Sequence, residues 1–377
     1  MKKKLIVNPL QTGGLVPSQV KNKLLESFSG YPFCLYCPGD VHRIQKPNIK
    51  KLIEEDLPEF LECDLVRLTH GAREGAFLIL FALYKEEVRK NNFAPAVLLD
   101  GNAHYSMILA CERIGLEPYL TSVSPAPERK INEEEFINLT EKVRKKYGKP
   151  PLAMLIGYPD GKYTNFPDLK KIAKIREEIG CYFILNCAYS VGRMPFSLIR
   201  SRADALIASA HKSMACIGPL GLIGTNEELG KIITRKSKYF PKKEMEFLGC
   251  SGRGLPTLCL YYVFPFLKKR IKEWNRKIKI ANYFIEKAEK ELGFVLQGEK
   301  PHRHDVLNFE TKVFYEISLR IKDRFFLYKE LKDAGILGIK PGITKVLKLS
   351  TYLLNKEEVD YVLQVLQKII KKYGKKE

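Results

Sequence analysis

Residues 205–212 read Ala-Leu-Ile-Ala-Ser-Ala-His-Lys, a short apolar run that ends in a polar cluster. Similar apolar runs occur at 65–68, 96–99, 152–156 and 182–185, and amphipathic segments of helical length, such as 168–179, separate them. Strands buried on both faces of a parallel sheet have this continuous apolar character. The alternation therefore predicts an α/β fold with a large, mostly parallel sheet.

Each apolar run is followed by polar residues at the point where the predicted strand ends. In doubly wound sheets, ligands bind where the loops leave the carboxyl ends of the strands. We therefore expect five clusters to meet at one edge of the sheet: 69–73, 100–104, 158–161, 186–189 and 209–212.

The alternation stops after residue 254, which predicts three parts of the chain: an N-terminal arm (1–48), a large domain (49–254) and a smaller α+β domain (255–377). In the arm and the large domain we predict helices at 21–28, 49–62 and 74–89. In the small domain we predict helices at 265–292, 323–333 and 356–372, and strands at 306–309, 314–317 and 346–349.

The chain of 377 residues carries 64 Lys and Arg against 43 Asp and Glu, a formal charge of +21. This excess indicates a polyanionic partner, although a basic cell interior or a hot environment would also favour it. The apolar stretch at 5–7 is too short for a signal peptide or a membrane span, so we expect a soluble cytoplasmic protein without membrane contact. The nine cysteines are scattered and do not indicate a disulfide scaffold.

Lys212 follows a run of small residues that would leave room for a planar ligand. Condensation of its amine with an aldehyde requires a lowered pKa, which burial or the nearby charges of His211 and Arg193 could provide. The turn at Gly71 opens a predicted helix whose amide groups could hold a phosphate. Each feature alone has an ordinary alternative, such as a solvent-facing lysine or a tight strand-to-helix turn.

Two further polar residues fit the same ligand. His104 could stack on a pyridine ring, or it could simply cap the helix that follows. Asn186 could bond the ring nitrogen, or it could satisfy its own turn.

Along the chain, the turn at Gly71 is followed by His104, Asn186 and Lys212. Motifs in this order resemble those of the fold-type-I pyridoxal-phosphate (PLP) enzymes. More closely, the sequence resembles the archaeal phosphoseryl-tRNA:cysteinyl-tRNA synthases, and the similarity spans nearly the whole chain. The stretches that carry it are 8–11, 69–74, 158–161, 192–195, 209–214, 338–342 and 348–352.

The resemblance implies that Lys212 holds PLP as a Schiff base, that His104 stacks on it and that Asn186 faces its ring nitrogen. It also implies a phosphate cradle and further contacts, formed by Gly71, Ala72, Arg73, Ser209 and His211. Many fold-type-I enzymes have aspartate where Asn186 stands, so we expect a weaker electron sink that suits elimination of phosphate. The strand at 346–350 carries Lys348 where enzymes of free amino acids carry an arginine clamp, as expected for an esterified substrate.

Cys34 and Cys37 form a Cys-x-x-Cys pair, and the resemblance adds Cys250 to a sulfur-handling set. These three thiols could carry a persulfide or hold an iron–sulfur cluster. The other six cysteines lie mostly in apolar contexts and are expected to pack in the core: Cys63, Cys111, Cys181, Cys187, Cys216 and Cys259.

The resemblance implies conversion of phosphoseryl-tRNA(Cys) to cysteinyl-tRNA(Cys) by β-elimination of phosphate and addition of sulfur. It further implies a homodimer and contact with the phosphoseryl-tRNA synthetase. The alternatives are a desulfurase acting on free cysteine and a non-catalytic tRNA-binding scaffold. Candidate tRNA contacts are Lys268, Lys269, Arg270, Lys272, Lys371, Lys372, Lys375 and Lys376, and candidates for stabilising the leaving phosphate are Arg73, Arg193 and Arg253.

Overall fold

The computed structural model describes residues 4–10, 14–26, 47–249 and 254–374. The strands in these ranges are β1 Leu5–Ile6, β2 Leu65–Thr69, β3 Ala94–Leu99, β4 Glu117–Leu120, β5 Pro151–Gly157, β6 Tyr182–Asn186, β7 Ala205–Ser209, β8 Gly221–Thr225, β9 Val295–Leu296, β10 Val306–Glu310, β11 Ile336–Leu337 and β12 Val346–Ser350.

The helices in the same ranges are α1 Ser18–Glu26, α2 Ile49–Lys51, α3 Leu57–Leu61, α4 Ala72–Leu83, α5 Tyr105–Ile114, α6 Glu135–Tyr147, α7 Leu169–Ile179, α8 Leu198–Ser201, α9 Ala210–Ser213, α10 Glu227–Ile233, α11 Gly254–Arg270, α12 Trp274–Leu292, α13 Lys312–Arg320, α14 Phe326–Asp333 and α15 Lys356–Tyr373. A π-helical turn at Leu52–Asp56 joins α2 to α3, and another at Tyr84–Val88 extends α4. A 3-10 turn at Ile271–Glu273 joins α11 to α12.

Seven strands form the large sheet, in the order β2-β8-β7-β6-β5-β3-β4. Six of them run parallel, and β8 alone is antiparallel to its neighbours β2 and β7. The predicted large, mostly parallel sheet is therefore confirmed.

Helices cover both faces of this sheet, because side chains alternate along each strand. On one face Leu155 and Ile207 pack with residues of α4 and α5. On the other face Met154 and Leu206 pack with residues of α6 and α7. Burial on both sides explains the continuous apolar runs that predicted the strands.

The smaller unit has its own core, built on the sheet β12-β10-β9 and on helices α12 to α15. The chain's first strand, β1, pairs in parallel with β11 and contributes to that core. Helix α11 instead packs against the core of the large sheet through residues such as Leu260 and Leu267. The predicted division of the chain stays a prediction, and we propose that the smaller unit begins near Ile271 and includes β1.

The structure corrects some of the predicted elements. The strand predicted at 314–317 is wrong, because Phe314 and Ile317 lie one helical turn apart on the buried face of α13. The predicted helix at 265–292 is two helices separated by the 3-10 turn. Two strands of the large sheet were not predicted: β4, a four-residue strand at the sheet edge, and β8, whose two glycines weaken its strand pattern.

Candidate active site

The carboxyl ends of the parallel strands surround a cavity of about 210 Å³. All eight residues for which a cofactor contact was predicted line it: Gly71, Ala72, Arg73, His104, Asn186, Ser209, His211 and Lys212. Tyr189, Gly157 and Gly161 also contribute to its wall. The five polar clusters of the sequence therefore meet at one edge of the sheet.

One side of the cavity is the turn between β2 and α4. Gly71 precedes the first turn of α4 with φ +137°, a backbone conformation that favours glycine. No side chain caps this helix start, so the first amide groups of α4 face a site suited to an anion. The side chain of Arg73 is exposed at the same place.

His104 caps α5 as well as lining the cavity. Its Nδ1 accepts a hydrogen bond from the Ser106 amide at 3.3 Å and lies 2.8 Å from the Ser106 hydroxyl. Burial, with smaller contributions from the charges of Lys212 and Lys348, lowers the pKa of His104 to about 4. The imidazole is therefore neutral near pH 7. The predicted helix cap is confirmed, and the predicted stacking on a cofactor ring stays a prediction.

Asn186 is the last residue of β6 and is 8% exposed. Its Oδ1 accepts a hydrogen bond from the Ala188 amide at 3.2 Å. This bond assigns the oxygen to the turn and leaves the Nδ2 amide group as a donor. A donor at this place would bond an unprotonated ring nitrogen, whereas an aspartate would favour a protonated one.

Ser209 and His211 lie on the strand end that precedes Lys212. The Ser209 hydroxyl is 3.2 Å from His211 Nδ1, which is also 3.1 Å from the Leu220 carbonyl oxygen. Burial, together with the charge of Lys212, lowers the pKa of His211. The predicted positive charge at His211 is thus disfavoured, and its ring contributes a hydrogen-bonding group instead.

The Lys212 amine lies 5.1 Å from the centroid of the Tyr189 ring. Burial lowers its pKa, and the positive charge of Arg193 lowers it further. Within the described ranges no carboxylate forms an ion pair with this amine. The neutral form needed for bonding an aldehyde carbon is therefore favoured more than in an ordinary surface lysine.

Arg193 is not among the residues that line the cavity, but its charge lowers the pKa of Lys212. Its side chain is fully buried, and Nη1 lies 3.6 Å from Oδ2 of the equally buried Asp305. The Ser350 hydroxyl donates to the same Oδ2 at 2.6 Å. Burial alone would raise the pKa of Asp305, but Arg193 and His304 hold it below its usual value. Arg193 was a candidate in the sequence, but its partner Asp305 was not, because it lies 112 positions away and no local pattern links the two.

Several predicted residues lie outside the described ranges: Cys34, Cys37, Cys250, Arg253, Lys375 and Lys376. Among the described residues, no group of three or more His, Cys, Asp or Glu side chains could hold a metal ion. Five of the six cysteines predicted to pack in the core are buried, and Cys63 is partly buried. Burial raises the pKa of Cys63, Cys111, Cys181 and Cys187 to about 12, as expected for packing residues.

Arg270 is not a free surface charge. Its Nη2 donates to the carbonyl oxygens of Gly192 at 2.8 Å and Ser213 at 2.7 Å, so it supports the loop that carries Lys212. Lys268, Lys269 and Lys272 are exposed on the same stretch.

In the described part of the chain, no helix is long and apolar enough to cross a membrane.

The cavity fits a phosphorylated pyridine aldehyde on three grounds. The uncapped start of α4 suits its phosphate, and Asn186 offers a donor to its ring nitrogen. The Lys212 amine is within the same cavity and has a lowered pKa. The residues present therefore fit PLP.

Relatives of known name match nearly the whole chain. The chain is 43% identical over 368 residues to the O-phospho-L-seryl-tRNA:Cys-tRNA synthase of Methanosarcina acetivorans, covering 97% of this chain and 93% of that protein. It is 41% identical over 366 residues to the protein of the same name from Methanocaldococcus jannaschii, with 97% and 94% covered.

Solved structures superpose on this chain over nearly its whole length. The SepCysS–SepCysE N-terminal domain complex contains a chain that superposes with a TM-score of 0.87 at 39% identity, covering 98% of this chain and 95% of that one. A cysteine desulfurase from Thermococcus onnurineus NA1 superposes with a TM-score of 0.76 at 15% identity, covering 98% and 95%. At this low identity the likeness concerns the fold alone, that of the fold-type-I PLP enzymes. The sequence model described as O-phosphoseryl-tRNA(Sec) selenium transferase, SepSecS, matches residues 70–371, so the chain belongs to that family.

Proposed function

We propose that this chain is a PLP-dependent transferase that converts O-phosphoseryl-tRNA(Cys) to cysteinyl-tRNA(Cys) by replacing the β-phosphate with sulfur. The family model is described by selenium transfer, but the relatives with 41–43% identity over 97% of this chain are named as cysteinyl-tRNA synthases. The observation that carries the proposal is the Lys212 amine, which lines a cavity suited to PLP and forms no ion pair with a carboxylate of the described ranges.

Lys212 has two roles in this proposal. Its amine would hold the cofactor until the substrate arrives, and the released amine would then act as a base. When bound, PLP supplies an electron sink that stabilises negative charge at the substrate α-carbon. The freed Lys212 amine then takes the α-proton, which its lowered pKa allows near neutral pH.

The other cavity residues bind and orient. Gly71, Ala72 and Arg73 hold the cofactor phosphate at the start of α4. The His104 ring, which is neutral near pH 7, would stack on the cofactor ring. Asn186 donates to the ring nitrogen, and Ser209 and His211 complete the cofactor contacts.

The exposed Arg73 is also a candidate for stabilising the phosphate that leaves the substrate, together with Arg253. Arg193 is unsuited to this role, because it is fully buried and paired with Asp305. Instead, its charge helps to lower the pKa of Lys212.

Sulfur replaces phosphate at the β-carbon after elimination. We propose that it comes from sulfide or from a persulfide on one of Cys34, Cys37 and Cys250. In the second case another thiol of the set attacks the inner sulfur, so that a disulfide forms and the outer sulfur leaves as sulfide. The three thiols could also hold an iron–sulfur cluster. The excess of positive charge favours tRNA, since phosphate contacts supply most sequence-independent affinity for nucleic acids. We further propose a homodimer and a complex with the phosphoseryl-tRNA synthetase.

The direct test is to incubate the purified holoenzyme with phosphoseryl-tRNA and sulfide and to measure both phosphate release and cysteinyl-tRNA. We expect phosphate and cysteinyl-tRNA in equal amounts from the wild-type protein, and neither of them from Lys212→Ala. Formation of alanine from free cysteine, without conversion of the tRNA, would instead indicate a desulfurase. A protein without bound cofactor that binds tRNA would indicate a scaffold.

A further inference from the structure

A hairpin at 235–245 presents two aromatic side chains at the surface of the large unit. A backbone hydrogen bond of 3.0 Å, from the Ser237 amide to the Lys243 carbonyl oxygen, joins its two arms. At its tip, Tyr239 is 89% exposed and Phe240 is 68% exposed. Within the described ranges, neither ring belongs to a hydrophobic core. Two large rings exposed side by side are unusual at a free surface and indicate a binding surface.

Two buried carboxylates fix this hairpin to the rest of the large unit. Glu244 accepts hydrogen bonds from Arg67 Nη2 at 2.7 Å and Nε at 3.0 Å, and 6% of its side chain is exposed. Glu246 accepts from the Lys85 amine at 2.9 Å and from Arg235 Nη2 at 2.7 Å, and 1% of its side chain is exposed. Hydrogen bonds between charged groups are stronger than ordinary ones. The tip therefore has a defined position, so that little ordering is needed when a partner binds.

Positive charge flanks the two rings. Four lysines lie within three residues of them along the chain: Lys236, Lys238, Lys242 and Lys243. Lys236 pairs with Glu244 at 3.2 Å, whereas Lys238 and Lys242 are exposed and form no ion pair with a carboxylate of the described ranges. Aromatic rings combined with lysines are typical of sites for single-stranded nucleic acids, in which the rings stack on bases and the cations contact phosphates.

A second copy of this chain is the alternative partner. Apolar exposure continues after the hairpin, since Leu248 is 70% exposed. However, lysine is depleted at protein interfaces, and burial of Lys238 and Lys242 without acidic partners would cost free energy. A nucleic acid supplies the negative charge that these two amines lack, and the whole chain has a formal charge of +21. The charge therefore favours a nucleic acid over a second copy.

We propose that this hairpin is a docking surface for unpaired nucleotides of RNA. Tyr239 and Phe240 stack on neighbouring bases, and Lys238 and Lys242 contact the adjoining phosphates. The hairpin contributes no residue to the lining of the cavity, and none of its residues was among the tRNA contacts predicted from the sequence. The inference deepens the proposed function, on which the identity of this RNA as the substrate tRNA rests.

The test compares a fluorescently labelled single-stranded RNA oligonucleotide with the same oligonucleotide annealed to its complement. The affinity of each for the full-length holoenzyme is measured by fluorescence anisotropy at physiological ionic strength, where purely ionic contacts are weakened. Stacking on the rings requires unpaired bases, whereas ionic contacts require only phosphates. Removal of both rings, in Tyr239→Ala/Phe240→Ala, should therefore weaken single-strand binding by roughly tenfold or more and duplex binding much less.

Three further variants separate the contributions. Tyr239→Phe keeps the ring and should keep the wild-type affinity. Lys238→Gln/Lys242→Gln should weaken the binding of both probes. On the single strand it should also reduce the slope of log affinity against log salt by about 0.7 for each lost phosphate contact. The matched control is Tyr315→Ala, which removes an exposed tyrosine on α13 whose ring centroid lies 5.9 Å from the Lys345 amine, and which should leave both affinities unchanged.

Unchanged single-strand binding in Tyr239→Ala/Phe240→Ala would overturn the inference, and so would equal losses for the two probes. Sedimentation of this variant tests the alternative partner, because a smaller oligomer with unchanged RNA affinity would show that the rings join two copies of the chain. The conversion of phosphoseryl-tRNA is measured separately on the wild-type holoenzyme. If conversion occurs but the variant binds the single strand normally, the role of the hairpin fails while the proposed function stands. If conversion is absent but the variant loses single-strand affinity, the proposed function fails while the docking surface stands.

Discussion

His304 illustrates how the surroundings of one residue fix its protonation state. The ring is fully buried, Nδ1 accepts from the Val306 amide at 3.0 Å, and Nε2 is 3.1 Å from the Tyr189 carbonyl oxygen, to which it donates. This arrangement requires the neutral tautomer with its proton on Nε2. Burial lowers the pKa of His304 to about 4, although the charge of Asp305 opposes the shift.

We expect this histidine to make the protein sensitive to mild acid. A depressed histidine pKa means that the unfolded chain binds the proton first, so the free energy of unfolding falls as pH drops from about 6.5 towards 4. His304 alone should account for roughly 2–4 kcal/mol of this loss at pH 4. Urea titrations at a series of pH values should show a shallower loss in His304→Gln. Identical slopes in variant and wild type would contradict the assignment.

At the residue scale, the sequence predicted the cavity well and the contacts behind it poorly. Lys212, His104 and Asn186 could be chosen because each follows a predicted strand, and strand ends of a parallel sheet lie at one edge. The pairing of Arg193 with Asp305 and the bond from the Lys348 amine to the carbonyl oxygen of Gly161 join distant parts of the chain. No local pattern encodes such contacts, so they required the structure.

At the scale of the element, β8 supports the phosphate turn. Gly221 pairs with Thr69, and a Cβ atom at Gly221 would lie 2.6 Å from Thr69 Oγ1 and 2.7 Å from Gly71 Cα. Contacts this short cannot exist, so any side chain at Gly221 must displace the turn. Because Gly221 has no side chain, β8 can lie directly against the turn at Gly71. The same lack of a side chain weakens the strand pattern of β8 in the sequence.

We therefore expect Gly221→Ala to weaken cofactor binding although the residue is not among those lining the cavity. The change should displace Gly71 and raise the dissociation constant for PLP by tenfold or more, on the order of 1–3 kcal/mol of backbone strain. Cofactor release on dilution, followed by absorbance, measures this. Gly180→Ala is the control, because it also changes a glycine but has open space around the added methyl group. Equal cofactor affinity in the two variants would contradict the proposed role of β8.

At the scale of the whole molecule, the large and small units are joined by a buried ion pair. Arg193 follows the large sheet's strand β6, whereas Asp305 precedes β10 of the small sheet, and neither side chain is exposed. Ser350 of β12 donates to the same carboxylate. The pair therefore couples the orientation of the two units to the charge that lowers the pKa of Lys212.

Asp305→Asn should destabilise the folded protein by about 3–5 kcal/mol, because it removes the buried carboxylate that pairs with the buried Arg193 charge. The free energy of unfolding from urea titration at pH 7 measures the effect. The control is Asp323→Asn, which removes a partly exposed carboxylate that bonds Lys329 at 2.8 Å and should have a much smaller effect. Similar stability of the two variants would show that the pair does not join the units.

The order of apolar runs was enough to predict the large parallel sheet, but not the whole arrangement. Strands β5 and β7 could be recognised because they are buried on both faces and therefore continuously apolar. Residues 314–317, Phe-Tyr-Glu-Ile, were misassigned because a four-residue, mostly apolar stretch fits a short strand or one buried turn of a helix. The pairing of β1 with β11 was equally invisible, since two-residue strands carry no periodicity.

The central claim is that the Lys212 amine holds the cofactor, and borohydride reduction tests it most directly. Reduction of the purified holoenzyme should fix the pyridoxyl group covalently to one lysine, and peptide mapping by mass spectrometry identifies that lysine. We expect modification at Lys212 in the wild-type protein and none in Lys212→Ala. A pyridoxyl group on Lys348 or another lysine, with Lys212 unmodified, would contradict it.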